Sequence, residues 1–191
     1  DLMRFFSAGD WARRVNGKRF DTGELVKAEF KNKLPTGFQS YVLNTRRPQL
    51  QDRRVREALG LAFDYAWMNR QLFYGAYQRV HGLFGNTRCE TNGEPTAAEL
   101  ALLDPWRAEL PKAAFGPMAE PPVTESPMVL REHLRQAQKL LKEAGWEVQD
   151  GVLKNAQGEP FVLEYMDSSE GGVRTIFSWQ HNLAKLGIAL N

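Results

Sequence analysis

Cysteine is nearly missing. The 191 residues hold one, Cys89, so no disulfide forms within the chain. That is compatible with a reducing or an oxidising compartment and decides neither. Long apolar runs are missing too: none approaches the roughly 20 residues that a membrane-crossing helix needs. Charge of one sign is lacking, since 25 Lys and Arg face 23 Asp and Glu. A net +2 gives no strong electrostatic preference for nucleic acid or an anionic membrane. The three histidines, His81, His133 and His181, have no metal-ligand spacing and no His-Glu-x-x-His occurs. His81 with Cys89 carries no recognisable nucleophile–base signature. No carboxylate pair stands out as acid and base, no phosphate-binding glycine loop is complete, and there are no repeats or low-complexity segments. Neither a catalytic set nor a cofactor or metal site is therefore expected.

What is there is a globular composition, 42% hydrophobic, enough for one sizeable core. The stretch from Gly37 to Gly75 organises it. Phe38 to Leu43 are mostly good strand formers after a Pro-Thr-Gly break, and Pro48 bends the chain away. Asp52 is placed as an N-cap. Val55, Ala58, Leu59, Ala62, Phe63 and Ala66 then recur at helical spacing, which predicts a core helix over 52–64. Asp64 ends that helix and caps a second one that stops at Gly75.

Before this stretch, 1–15 reads as a helix with Leu2, Phe5, Phe6, Trp11 and Val15 on its apolar face. Residues 25–31 alternate apolar and charged, the pattern of a half-buried strand. After it, Thr96 and Glu99 form a capping box that starts a short helix to about Leu103. The segment 104–127 is proline-rich and irregular. Pro127 opens a helix along Leu130, Leu134, Ala137, Leu141 and Ala144, ended by Gly145. Asp150 and Gly151 predict a hairpin. Phe161 to Met166 reads as a strand. Ser168 or Ser169 caps a helix through Ile176, Phe177, Trp179, Leu183 and Leu186, which Gly187 ends, and 188–191 starts a strand.

Arg46, Arg47, Arg53, Arg54 and Arg56 are the sharpest charge feature. They suit phosphate contacts, so a nucleic-acid-binding module using residues 46–56 is the alternative reading. Asp52, Glu57 and Asp64 lie among them, and a salt-bridged face explains the cluster better.

The order of several motifs resembles the family 5 extracellular solute-binding proteins, the ligand-capturing subunits of peptide and nickel ABC importers. Tyr41 to Pro48, Asp52 to Leu59, Ala62 to Tyr65 and Phe73 to Gly75 carry the likeness. Gly93 to Pro95, Glu99-Leu100, Leu134 to Trp146, Gly158 to Pro160 and Leu183 to Ile188 continue it. Arg46-Arg47 before Pro48, with Phe63 to Asn69, looks most like the YejA-type branch, which is linked to peptide and microcin C import. The resemblance implies an α/β fold, a mixed sheet flanked by helices, as part of one lobe of a two-lobed class II periplasmic binding protein. It implies one lobe fragment over 1–191, with the N-terminal lobe and the C-terminal remainder absent. It implies a periplasmic, non-enzymatic protein that captures peptides or peptide-like compounds. Its partners would be ABC permease subunits in the inner membrane, not nucleic acid, and it would not itself span the membrane. It places Phe38 and Ser40 toward the ligand cleft, with Arg79 and His81 as further ligand-binding candidates.

Overall fold

A computed structural model of the chain describes residues 3, 7–30, 33–90, 93–167 and 170–191. The chain divides into two compact units. The first comprises Asp1–Lys27, Val42–Gln78 and Pro122–Asn191; the second comprises Ala28–Tyr41 and Arg79–Pro121.

The first unit holds the core. Helix α1 (Ala8–Arg13) starts at Ser7, whose Oγ accepts from the Asp10 amide, and α2 (Lys18–Asp21) follows a glycine. Leu2, Phe5 and Phe6 of the expected first helix lie outside the described residues. Helix α3 (Arg53–Leu61) is capped by Asp52, which accepts from the Arg54 amide at 2.8 Å. Its apolar stripe is real: Val55, Ala58, Leu59 and Ala62 are fully buried. Helix α4 (Tyr65–Phe73) is capped by Asp64, which accepts from the Trp67 amide at 2.9 Å. It ends through Tyr74 and Gly75, both left-handed, with φ of 55° and 72°.

The long helix α6 (Pro127–Glu143) packs on α3 and buries Ala137 and Leu141. Ser126 accepts from the Val129 amide at its start, and Gly145, at φ 88°, turns the chain out at its end. Strands β1 (Glu147–Gln149) and β2 (Val152–Lys154) pair antiparallel across Asp150 and Gly151. Both turn residues have positive φ, 52° and 79°, as a hairpin of matching twist requires. Strand β3 (Val162–Leu163) pairs parallel with β4 (Ala189–Leu190), and α7 (Glu170–Ala184) makes the crossover. Both strand directions occur, divided between two short ladders. The serines expected to cap α7 lie outside the described residues, and Phe177 is exposed rather than packed.

Two buried donors tie α7 to the end of α3. Trp179 donates from Nε1 to the Leu59 carbonyl, and Asn182 from Nδ2 to the Ala62 carbonyl, both at 3.0 Å. The last carbonyls of a helix lack partners of their own, so these bonds satisfy groups that burial would otherwise leave wanting.

The second unit contains α5 (Ala97–Leu103), started by the full Thr96–Glu99 capping box, and 3₁₀ turns at Asp104–Trp106 and Lys112–Phe115. Two strand expectations are corrected. Residues 25–30 and 38–43 form no strand. Alternation only states which face each residue prefers; a strand also needs a neighbour to complete its ladder. Among the described residues no strand lies beside either stretch. Val26, Phe30 and Val42 are consequently left exposed, and Lys27 turns its ammonium 4.3 Å from the Trp11 ring and onto the Trp11 carbonyl.

Candidate functional site

All four candidate ligand residues fall in the second unit. They come from two stretches that this unit brings side by side. The Thr36 amide donates to the Gly85 carbonyl at 3.0 Å, and Asn86 Nδ2 donates to the Leu34 carbonyl at 2.8 Å. A methyl group at Gly85 would run into the Thr36 hydroxyl, which would have to rotate aside to admit it. Phe38 and Ser40 lie just beyond this crossing and are exposed. Gln39 between them is exposed as well, so the one-face-in, one-face-out alternation expected of a strand is not seen. Arg79 is half-buried. The imidazole of His81 is exposed and meets Glu120 Oε2 through Nδ1 at 2.5 Å. That contact joins the first few residues of the 79–121 stretch to its last two.

The arginine cluster is spent on its own surroundings. Arg47 pairs with Glu164 at 3.0 Å and Arg53 with Glu57 at 2.8 Å. Arg54 closes on Asp52 at 2.6 Å and donates to the Glu143 carbonyl at 2.7 Å, at the end of α6. Arg56 donates to the carbonyls of Leu50 and Gln51. Hydrogen bonds from the Arg54 side chain and amide hold the Asp52 carboxyl below its ordinary range, and the side-chain bond to Asp52 raises the Arg54 guanidinium. Arg54 thereby braces the corner where α3 meets α6.

Beside that corner the first unit has an open cavity of about 400 Å³. Trp146 and Phe161, edge to face at 4.6 Å, supply its aromatic wall, with Pro48 and Pro160. Gln49, Asn155, Asp52 and Glu159 supply its polar groups. Gln49 is already bonded to the Val162 carbonyl, and Asn155 to Glu159 at 2.7 Å. Periodicity had no means of finding this cavity, because its walls come from separate stretches joined only by folding. Among the described residues no group of three His, Cys, Asp or Glu is placed to hold a metal ion. No helix there is long and apolar enough to cross a membrane.

The fold resembles that of part of several solved binding proteins. Over 78% of this chain it superposes on NikA from Brucella suis, solved with Fe(III)-EDTA, at a TM-score of 0.51 and 22% identity. It superposes equally, at 0.51 and 19% identity over 78% of the chain, on the oligopeptide-binding protein AppA from Bacillus subtilis. Each match takes in 24% of the solved chain. The sequence is more specific. All 191 residues match the family model of bacterial extracellular solute-binding proteins, family 5, middle. The chain belongs to that family. It is 38% identical to YejA of Escherichia coli (strain K12) over 192 residues, 100% of this chain and 32% of YejA. It is 33% identical to the probable peptide-binding protein YejA of Agrobacterium fabrum (strain C58), over 98% of this chain and 31% of the relative. The chain thus spans about a third of the length of the curated relatives it matches.

Proposed function

We propose that this chain is part of the ligand-capturing component of an ABC importer, and that the ligand is a peptide or peptide-like compound. The observation that carries the reading is the family match across every residue of the chain. The peptide-binding name of the Agrobacterium relative favours peptide over metal chelate. In this reading the protein works in the periplasm by binding and not by catalysis, and hands its ligand to permease subunits in the inner membrane. The nucleic-acid alternative has lost its motive, because four of the five arginines are engaged by carboxylates or carbonyls.

The chain would supply part of one lobe, and a longer protein the rest. Phe38, Ser40, Arg79 and His81 would face the ligand from the second unit. A good small-molecule site buries about 70–90% of its ligand, which one wall alone does not achieve. The test is calorimetry of the longer protein and of the 191-residue chain against a peptide mixture, with mass spectrometry of co-purifying material. The longer protein should bind and the chain alone should not. Micromolar binding by the chain alone, abolished by changing Phe38 and Ser40, would overturn the partial-lobe reading; no peptide binding by the longer protein would overturn the function.

A further inference from the structure

Helix α4 presents two unlike faces. Met68 is buried, with Leu72 and Phe73 half-buried beside it. Trp67, Arg70 and Gln71 are exposed and their spacing of three and four residues puts them on one stripe, and the exposed Tyr74 follows at the left-handed turn that ends the helix. The indole of Trp67 is 42% exposed and the phenol of Tyr74 47%. Trp, Tyr and Arg are the residues that dominate protein–protein hot spots, because they offer large rigid surfaces that carry polar groups.

This stripe is held in shape from behind. Asn69 takes both backbone groups of Tyr77, donating to its carbonyl at 2.7 Å and accepting from its amide at 3.2 Å. The rings of Phe73 and Tyr77 meet edge to face at 4.8 Å. The chain therefore leaves the helix in a fixed direction, with Tyr74 turned outward. Arg13 of α1 lays its guanidinium 5.7 Å from the Tyr74 ring centre.

The charge here is of one sign. Among the described residues neither Arg13 nor Arg70 meets a carboxylate. Asp10 of α1 is taken by Arg14 at 3.1 Å, and Asp64 is buried as the cap of α4. We propose that the stripe Trp67, Arg70 and Gln71, together with Tyr74 and Arg13, docks an acidic protein surface. On the importer reading above, on which this rests, that surface belongs to a permease subunit. Two cations are too few for a membrane: stable attachment to anionic lipid takes a cluster of about 4–8. They suffice to orient a protein partner by charge complementarity.

The test uses the longer protein that carries this chain and its transporter in neutral phosphatidylcholine proteoliposomes. The readout is the protein concentration giving half-maximal stimulation of ATP hydrolysis. The variants are Trp67→Ala with Arg70→Glu, and Arg13→Glu with Arg70→Glu. Each should raise that concentration at least about 10-fold, the size of a hot-spot loss. Peptide affinity and melting temperature should stay unchanged. Unchanged stimulation overturns the proposal while leaving peptide capture standing. A lower melting temperature with weakened peptide binding also overturns it, since the stripe is then packed inside the longer protein. Capture of wild type, but not of the charge-reversed variant, by phosphatidylglycerol vesicles alone assigns the stripe to lipid instead. Absence of peptide binding by wild type defeats the importer reading itself, and with it the choice of partner.

Discussion

The two units differ in what holds them. Every buried apolar side chain among the described residues, from Val15 to Leu190, belongs to the first unit. The second has none; Phe30, Leu34, Leu83, Phe84, Leu102 and Trp106 are all exposed there. It is ordered by hydrogen bonds instead: a capping box, tight turns, and the crossing from Thr36 to Gly85. Burial stabilises by about 25 cal/mol per Å² of apolar surface, so a unit without it sits at the low end of local stability. The candidate ligand residues all lie in that unit.

The contrast is broken most directly in the core. Leu59→Ala should cost about 2–5 kcal/mol, because Leu59 is fully buried where α3, α6 and α7 meet. Denaturant unfolding measures it, and a cost no larger than that of a surface change would mean the core is misplaced. Gly187→Ala comes next. Its φ is 76°, and a Cβ would sit 2.6 Å from the Leu153 amide nitrogen, a backbone atom that cannot swing aside. Left-handed strain of about 1–3 kcal/mol is the least it should cost, and a melting temperature equal to wild type would exclude the tight turn.

A change in the second unit should stay local. Thr96→Ala removes the α5 cap and should cost about 1 kcal/mol, seen as faster amide exchange in 97–103 alone. The backbone and side-chain hydrogen bonds from Thr96 hold Glu99 below its ordinary range. Its contribution is therefore fully present above the ordinary carboxylate range and is lost as pH falls through the lowered folded value. Protection factors at 97–103 should fall in acid in wild type, and Glu99→Gln, which removes the titrating group, should lose that acid step; a retained step would assign the pH dependence elsewhere. The smallest effects sharpen the comparison. Phe38→Ala in the second unit and Arg53→Ala on the outer face of α3 should each stay within about 0.5 kcal/mol. A large cost at Phe38 would mean that the second unit hides a core after all.

Signals contained within one element were legible without the structure. Asp52, Asp64, Thr96 with Glu99, and Asp150-Gly151 each act on a backbone group a few residues away, so spacing alone identifies them. The apolar stripe of α3 was legible because every fourth or third side chain must share a face whatever it packs on. The strands at 25–31 and 38–43 were not, since their outcome depends on a neighbour elsewhere in the chain. The order of motifs carried the family likeness that the full-length match establishes.

By itself, then, the chain's order of residues determined α3, α4, α5 and α6 with their caps, the hairpin and the family, because these rest on local geometry or on motif order. The pairs Arg53–Glu57 and Arg54–Asp52 were local enough to read from spacing, and tertiary structure added the distant partners of Arg47 and Arg54. It turned a basic cluster into a braced corner by bringing Glu143 and Glu164 to residues about 90 and 120 positions away. It also decided that Phe38 and His81 share a unit while the core lies in the other. Those outcomes rest on charge pairing and burial between distant segments, and no local pattern records which distant segment arrives.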